Sequence, residues 1–416
     1  MNFTIDAGRL WDSLTVTARI GATGRGGLCR LALGEADREV RDWLRQAVEA
    51  IGCTVTVDEV GNMFALYPGR RPDLAPIAIG SHLDTQPTGG RFDGILGVLG
   101  GLEMLRTLHD RGHVTEAPLV LVDWANEEGA RFAPAMLGSG VHAGVFDVAY
   151  AHGRTDADGV TFGAALERIG CRGLAGAGAF RLGALFELHI EQGPILEAEG
   201  QVIGIVTGVQ GARWYDVRLT GASAHTGATP MAMRRNALLG AACLIEAVEA
   251  IAQDHAPGAL AAVGRIECRP NSRNVVPGVV DLTVDLRHPD DRVLERMETA
   301  LMTVIADAAA SAGLDHGVDR IWDSPSVRFD PDCIAAVRAG AADAGFAGRE
   351  IVSGAGHDAV YVARVAPTAM IFVPCRGGIS HNEAESATPE HCAAGAQVLL
   401  NAVLRYDTRS HGGSPP

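Results

Sequence analysis

The sequence of 416 residues contains no lysine, and all 35 of its basic residues are arginines. This absence excludes a Schiff-base lysine, a pyridoxal-phosphate anchor and a P-loop lysine. Positive charge is scarce as a whole, because the formal net charge is -15 at pH 7 and the isoelectric point is near 5.4. Nucleic acids and anionic membranes bind clustered positive charge, so neither is predicted as a partner.

Paired cysteines and long apolar segments are also missing. The eight cysteines are scattered without a C-x-x-C pair, which is typical of reduced thiols in a cytoplasmic protein. No apolar run is long enough to span a bilayer, and the first residues lack the basic and apolar regions of a secretory signal. With 47% hydrophobic and 20% charged residues, the composition is typical of a globular enzyme, which we expect in the cytoplasm.

Short apolar runs alternate with helical patterns through most of the chain. The runs 119–124, 185–190 and 368–373 are separated by helices, including one predicted at 94–109, which is typical of a mostly parallel or mixed sheet covered by helices. Between 209 and 326 the pattern changes to long alternating strands and helices predicted at 232–252 and 291–312. We predict an α/β catalytic domain formed by 1–208 and 327–416, with an α+β domain inserted at 209–326. The terminal SHGGSPP is predicted to fray.

Five candidate metal ligands follow one another in a fixed order. They are His82 in GSHLDT, Asp93 in GGRFDG, Glu128 in NEEG, His189 in ELHIEQG and His381 in ISHNE. Most lie near the carboxyl ends of predicted strands, where open α/β sheets bind ligands. Imidazole and carboxylate groups suit first-row divalent metals, and a carboxylate shared by two ions can hold both beside one water. The set predicts a two-metal hydrolase.

Each of these residues has an ordinary structural explanation when it is taken alone. His82 could be a satisfied structural histidine, Asp93 a helix cap, and Glu127 with Glu128 a solvated pair. Asp84 is positioned to accept the second imidazole N–H of His82 and to fix its tautomer. Adjacent carboxylates repel each other unless a cation lies beside them, so we predict Glu128 as a ligand and Glu127 as the general base.

The predicted inserted domain carries polar candidates of its own, namely His225 in SAHTGATPM, Asn274 in NSRNVVPG and Arg287 in DLRH. Arg287 ends a predicted strand and offers a planar fork for a carboxylate, although it could instead form a surface ion pair with Asp285 or Asp290. His225 and Asn274 could hold a carbonyl oxygen on which negative charge develops.

Together the motifs resemble the dinuclear metallo-amidohydrolases of the aminoacylase and carboxypeptidase clan. The branch they resemble contains N-carbamoyl-L-amino-acid hydrolase, beta-ureidopropionase and allantoate amidohydrolase. The resemblance covers nearly the whole chain and rests on GSHLDTQPTGGRFDGILGVL, NEEGARF, ELHIEQGP, HTGATPM, NVVPG, DLRH, SGAGHDA and ISHNEAE. It implies a homodimer formed through an inserted lid, and two divalent ions per subunit (zinc, manganese, cobalt or nickel). The implied ligands are His82, Asp93 as the bridge, Glu128, His189 and His381.

The same resemblance implies how the site works. Glu127 would take a proton from the attacking water and pass it to the leaving nitrogen, with Asp84 in support. The implied substrate contacts are Gln192, His225, Asn274, Arg287 and Gly356, with His225 and Asn274 contributed by the lid of the partner subunit. The expected substrate is a small anionic ureido acid, an N-carbamoyl-L-amino acid, which yields amino acid, carbon dioxide and ammonia. Allantoate and 3-ureidopropionate remain alternative substrates. An N-acyl-amino-acid deacylase or dipeptidase and a non-catalytic binding protein remain alternative functions.

Overall fold

The computed structural model describes residues 3–411. Its helices are α1 (Ala7–Thr17), α2 (Glu35–Glu49), α3 (Ile95–Asp110), α4 (Leu137–His142), α5 (Val148–His152), α6 (Phe162–Arg168), α7 (Ile195–Ala198), α8 (Ala237–Asp254), α9 (Asp291–Ser311), α10 (Pro331–Asp343), α11 (Asp358–Val362) and α12 (Pro389–His411). Its strands are β1 (Thr54–Val57), β2 (Met63–Tyr67), β3 (Ile77–His82), β4 (Leu119–Trp124), β5 (Ala184–Ile190), β6 (Gly204–Val209), β7 (Gly211–Thr220), β8 (Ala224–His225), β9 (Leu260–Arg269), β10 (Val275–Val276), β11 (Val279–His288), β12 (Asp315–Ser324), β13 (Val327–Arg328), β14 (Arg349–Ser353) and β15 (Thr368–Val373).

The described chain divides into two compact units. Gly208–Val327 forms the second unit, and the described residues on either side of it form the first. The first unit contains a nine-stranded sheet in the order β1-β2-β4-β3-β5-β15-β6-β13, with β14 paired to β6. The predicted tail SHGGSPP lies mostly outside the described residues, so its fraying stays a prediction.

The centre of this sheet is parallel and its flanks are antiparallel. Strand β3 runs parallel to β4 and β5, and β5 runs parallel to β15, whereas β1–β2, β2–β4 and β15–β6 are antiparallel. Every residue of β3, β4, β5 and β15 is buried, as their mostly apolar sequences predict for strands covered on both faces. Helices α3, α10 and α12 pack on these strands. The predicted mixed α/β class is confirmed.

The strand register brings the carboxyl ends of the central strands to one edge. His82 at the end of β3 is paired with Trp124 at the end of β4, and Val373 of β15 is paired with Ile190 of β5. The loops that follow these strands therefore start side by side, although they are far apart in sequence. The candidate ligands lie in or next to these loops.

The second unit is built on an antiparallel sheet in the order β12-β7-β11-β9, with a separate β8–β10 ribbon. Alternation along β7 and β11 puts one face of the sheet against helices α8 and α9, where residues such as Val217, Leu282 and Leu301 are buried. Helix α8 begins at Ala237, five residues later than predicted, because Asn236 caps it by accepting from the N–H groups of the first turn.

Several strands of the structure are absent from the sequence predictions, among them β6, β12 and β14. Strand β12, DHGVDRIWDS, is an edge strand with no buried residue, so it lacks the apolar alternation that would reveal it. Strands β6 and β14 lie near the far edge of the large sheet. Within the described residues, no helix is both long and apolar enough to cross a membrane.

Candidate dinuclear metal centre

The structure brings the five candidate ligands together around Asp93. His82, Asp93 and His189 form one group whose potential ligand atoms lie within 4.8 Å of one another. Asp93, Glu128 and His381 form a second group within the same limit. Asp93 is the one residue that these two groups share, as a carboxylate that bridged two ions would be.

The two carboxylate oxygens of Asp93 face different partners. Oδ1 lies 3.1 Å from Nε2 of His189 and 3.8 Å from Nε2 of His82. Oδ2 lies 3.5 Å from Nε2 of His381, which in turn is 3.4 Å from Oε2 of Glu128. The side chains of His82, His189 and Asp93 are almost fully buried, whereas that of His381 is 54% exposed, so the second group opens to solvent.

Backbone carbonyls fix the tautomers of the two buried histidines. Nδ1 of His82 lies 3.0 Å from the carbonyl oxygen of Asp84, and Nδ1 of His189 lies 2.9 Å from that of Ile190. A carbonyl only accepts, so in each neutral ring Nδ1 carries the proton and Nε2 presents a lone pair. The predicted carboxylate partner of His82 is wrong, because Oδ1 of Asp84 is 3.8 Å from Nδ1 and the shorter contact is made by the main-chain oxygen of the same residue.

The donor atoms fit divalent cations. In the neutral ring, Nε2 of His189 accepts a hydrogen bond from the N–H of Gly94 at 3.2 Å, and the same nitrogen lies 3.1 Å from Oδ1 of Asp93. Burial lowers the pKa of His189, but the carboxylate of Asp93 more than offsets this and raises the pKa to about 9. The protonated ring donates from Nε2 to Asp93 in place of accepting from Gly94. Cation and proton compete for such a site.

Asp84 holds the two adjacent glutamates through their backbone. Its carboxylate accepts from the N–H of Glu127 at 3.1 Å and from the N–H of Glu128 at 3.2 Å. This fixes the turn after β4, and Oε2 of Glu127 lies 3.6 Å from Nε2 of His82. Burial raises the pKa of Glu127 well above its usual range, and the nearby carboxylates of Asp358 and Glu128 raise it further. Glu127 therefore lies at the first ligand group without belonging to it.

Two further predicted contacts lie in the first unit. Gln192 adopts a positive φ of 59° and donates from Nε2 to Oδ2 of Asp93 at 3.0 Å and to Ser380 at 3.1 Å. Its carboxamide therefore contacts a candidate ligand, whereas the sequence predicts a substrate contact. Gly356 lies in the loop between β14 and α11, and a Cβ on it would come within 3.2 Å of Met136.

The remaining candidates lie in the second unit. His225 and Asn274 are neighbours, because β8 pairs with β10 and the N–H of Thr226 donates to the carbonyl of Asn274 at 3.0 Å. Nδ1 of His225 accepts from the N–H groups of Gly227 and Ala228 at 3.0 and 3.1 Å, which leaves the ring proton on Nε2. His225 is therefore prepared to donate a hydrogen bond from Nε2.

Arg287 lies near the end of β11 and pairs with Asp285 of the same strand. Its Nε lies 3.0 Å from Oδ2 of Asp285, and its Nη2 lies 2.8 Å from the same oxygen. An ion pair with Asp285, which the sequence also allowed, is thus present. Both side chains are about one-third exposed, at 31% and 32%.

Comparison with known proteins identifies the family of the chain. The sequence model of peptidase family M20/M25/M40 matches residues 78–405. The chain belongs to this family. It is 49% identical to an N-carbamoyl-L-amino-acid amidohydrolase of Rhizobium meliloti over 97% of both chains. It is 33% identical to an allantoate amidohydrolase of Bacillus subtilis, over 95% of this chain and 96% of the other.

Among solved structures, the chain resembles a hydantoinase/carbamoylase family amidase from Burkholderia multivorans. The TM-score is 0.96 at 55% identity, with 98% of this chain and 99% of the other covered. The match between this chain and the amidase includes the residues of both compact units. The predicted clan, fold class and hydrolase class are confirmed.

The sequence does not predict the roles of several buried polar residues near the candidate ligands. Glu187 lies on the same strand face as His189, is fully buried, and accepts from Ser81 Oγ at 2.7 Å. With His357 it forms a third group of potential ligand atoms around His189. The i, i+2 spacing of Glu187 and His189 was visible in the sequence, but alternating charge usually indicates a solvated face. Glu385 was missed as well, because the atoms it contacts belong to a distant segment.

Proposed function

We propose that the protein hydrolyses the carbamoyl C–N bond of N-carbamoyl-L-amino acids. The reaction consumes one water and yields the amino acid, carbon dioxide and ammonia. The observation that carries the proposal is the pair of ligand groups that share Asp93, in a chain 49% identical to a relative named N-carbamoyl-L-amino-acid amidohydrolase. The ligand groups support metal-dependent hydrolysis, and the likeness to this relative supports a ureido substrate.

The centre would hold two divalent ions, zinc, manganese, cobalt or nickel, because histidine and carboxylate ligands accept all four. His82 and His189 would serve one ion, Glu128 and His381 the other, and Asp93 both, as the two groups are arranged. When bound, such ions polarise a carbonyl oxygen and lower the pKa of water.

Glu127 is the proposed proton carrier. It would take a proton from the attacking water and deliver it to the leaving nitrogen, so that the amine departs neutral. Its backbone is fixed by Asp84, and its carboxylate lies 3.6 Å from Nε2 of His82. Because Glu127 belongs to neither ligand group, its carboxylate is available for this transfer.

The second unit would supply substrate recognition. Arg287 would bind the carboxylate of the substrate through its guanidinium, and the pairing with Asp285 would set the orientation of that group beforehand. Nε2 of His225 and the amide of Asn274 would donate to the ureido oxygen as negative charge develops on it. Gln192 and Gly356 would line the remainder of the site.

We also propose a cytoplasmic homodimer in which the second unit forms the interface and acts as a lid that closes on the substrate. His225 and Asn274 would then complete the site of the partner subunit. All eight cysteines are free, which supports a reducing compartment.

Allantoate hydrolysis is the second candidate, favoured by the likeness to the allantoate amidohydrolase of Bacillus subtilis. Allantoate, like the carbamoyl amino acids and 3-ureidopropionate, combines a carboxylate with a ureido group, so Arg287 and His225 could recognise it in the same way. Deacylation of N-acyl amino acids and ligand binding without catalysis are less favoured, since neither accounts for the likeness to ureido-acid hydrolases.

A competition experiment tests the proposal. Manganese-loaded protein is incubated with an equimolar mixture of N-carbamoyl-L-amino acids, 3-ureidopropionate, allantoate and N-acetyl amino acids, and consumption is followed by mass spectrometry with an ammonia assay. We expect a carbamoyl amino acid to be consumed first, with release of ammonia. Preferred loss of allantoate would support the second candidate. Loss of only acetylated compounds would indicate a deacylase, and no turnover by metal-loaded protein would contradict the proposed reaction.

A further inference from the structure

Glu385 is a buried carboxylate that lies beneath the shared candidate ligand. Glu385 as a whole is 2% exposed to solvent. Oε1 accepts from the backbone N–H of Phe92 at 2.9 Å and from that of Asp93 at 3.1 Å. Oε2 lies 3.1 Å from the hydroxyl of Ser380. Charge-assisted hydrogen bonds of this kind compensate part of the cost of burying a carboxylate.

The same hydroxyl links Glu385 to the side chain of Asp93. Ser380 Oγ lies 3.1 Å from Oδ2 of Asp93, as well as 3.1 Å from Glu385, and accepts from Nε2 of Gln192 at 3.1 Å. Glu385 therefore reaches Asp93 by two routes. One is the direct bond from the backbone N–H of Asp93, and the other passes through Ser380, whose single hydroxyl proton is donated either to Oδ2 of Asp93 or to Oε2 of Glu385.

The neighbouring chain is shaped around this carboxylate. A Cβ added to Gly90 would lie 2.0 Å from the carboxyl carbon of Glu385, so only glycine leaves room for the side chain there. The segments that meet at Glu385 are separated by about 290 residues, since its bonds to Phe92 and Asp93 span 293 and 292 positions. Glu385 thus ties the loop that carries His381 to the loop that carries Asp93.

Asp93 needs such an anchor because its own secondary structure does not hold it. Helix α3 begins at Ile95, and Asp93 precedes it across Gly94, which has φ 66° and ψ -55°. The candidate bridge must point its two oxygens at different ligand groups, and a small rotation would break one set of contacts. Fixing the backbone N–H and Oδ2 of Asp93 at the same time restricts that rotation.

We propose that Glu385 is a positioning residue that holds Asp93 in the orientation required to be shared by two divalent cations. This inference rests on the proposed metal centre and deepens it. Glu385 itself is not a ligand in either group. Its effect should therefore appear in cation affinity and in the ligand field of the bound ion. Outer partners of metal ligands commonly change affinity by about 10- to 100-fold.

The test compares four proteins. They are the wild type, Glu385→Ala, Glu385→Gln and the control Glu383→Gln. Glu383 lies in the same loop, but its carboxylate accepts from the hydroxyl of Thr23, and a Cβ on Gly27 would overlap Cγ and Cα of Glu383. The glutamine at 385 keeps an oxygen for the N–H groups of Phe92 and Asp93. Glu385→Asp, which retracts the carboxylate by one methylene, replaces the alanine variant if that protein does not fold.

Three measurements are made on each protein. Manganese dissociation constants are obtained by chelator competition, visible spectra are recorded after cobalt(II) loading, and melting temperatures are measured with and without manganese. We expect Glu385→Ala or Glu385→Asp to bind manganese about 10- to 100-fold more weakly, with an altered cobalt spectrum and a smaller metal-induced rise in melting temperature. Glu385→Gln and Glu383→Gln should remain within about threefold of the wild type.

The inference would be overturned if the alanine or aspartate variant bound manganese within threefold of the wild type and gave the same cobalt spectrum. It would also fail if the variant lost stability without metal but kept the full metal-induced rise, because Glu385 would then be a structural residue only. An equal loss of affinity in Glu383→Gln would overturn it too. Failure of the wild type to bind two ions would instead contradict the proposed metal centre.

Discussion

Replacing Gly94 by alanine should displace His82 from the proposed metal centre. Gly94 joins Asp93 to helix α3 in a tight turn, in which the N–H of Ile95 donates to the carbonyl of Asp93 at 2.7 Å. Its φ of 66° and ψ of -55° match the strained γ-turn region that L-residues rarely adopt. The backbone alone should therefore cost about 1–3 kcal/mol.

The larger effect is steric. A Cβ on Gly94 would lie 2.4 Å from both Cε1 and Nε2 of His82. Because ordinary contacts between heavy atoms require about 3.5 Å, the ring must retreat by about 1 Å. Metal–nitrogen distances tolerate only about 0.2 Å, so the displaced Nε2 can no longer serve as a ligand. We expect manganese affinity to fall by more than about 100-fold, the upper end of the loss seen for outer partners alone.

Gly112→Ala is a matched control for the backbone term. Gly112 follows α3, has a φ of 57°, and no heavy atom of the described residues lies within 4 Å of the Cβ it would gain. This variant should lose about 1–2 kcal/mol of stability and keep its metal affinity. Both variants are compared by chelator competition and by urea unfolding of the metal-free protein. Normal manganese binding by Gly94→Ala, or an equal loss in Gly112→Ala, would refute the steric argument.

Four further predictions follow from individual contacts. Glu127→Gln should retain bound metal and its melting temperature but lose at least about 100-fold in kcat, and unchanged turnover would remove Glu127 as proton carrier. Arg287→Ala should raise KM for carboxylate substrates about 10-fold or more with a smaller change in kcat, and an unchanged KM would contradict the anchor role. Removal of metal by a chelator should lower the melting temperature, because the buried carboxylate oxygens around Asp93 lose the positive charge of the cation. Equal melting curves with and without chelator would argue against a bound cation. Burial lowers the pKa of His142 from 6.5 to about 4, so the free energy of unfolding should fall by up to about 3 kcal/mol as the pH falls from 6.5 to 4. In urea titrations, His142→Leu should reduce this dependence of stability on pH. Parallel curves for the variant and the wild type would show that His142 is not responsible.

The central strands could be predicted because burial on both faces requires runs of mostly apolar consecutive residues. Strands β4 and β15 begin and end where their mostly apolar runs do, since a strand covered on both faces carries mainly apolar side chains. Edge strand β12 was not predictable, because it buries none of its residues. Its pairing with β7 depends on backbone hydrogen bonds, which leave no signature in side-chain polarity.

The candidate ligands were predictable from motif order, but their supporting contacts were not. The sequence predicts that the Asp84 carboxylate accepts from the imidazole of His82, whereas this carboxylate accepts from the N–H groups of Glu127 and Glu128. Glu385 contacts the N–H groups of residues almost 300 positions away. Backbone donors carry no residue identity, so a sequence offers no means of pairing a buried carboxylate with them.

These supporting contacts follow one physical rule. A centre with Asp93, Glu127 and Glu128 already concentrates negative charge, so further carboxylates near it must be neutralised without taking up the ligand positions. Asp84 and Glu385 offset part of the cost of their burial by accepting backbone N–H groups, and those groups belong to the candidate ligands or to their immediate neighbours. Burial still raises the pKa of Asp84 to about 8 and that of Glu385 to about 7. The same hydrogen bonds fix the backbone of a candidate ligand. Substituting either one should disturb ligand geometry more than overall stability, in contrast to truncating a core residue such as Leu121, which should cost about 2–5 kcal/mol of stability without altering the ligands directly.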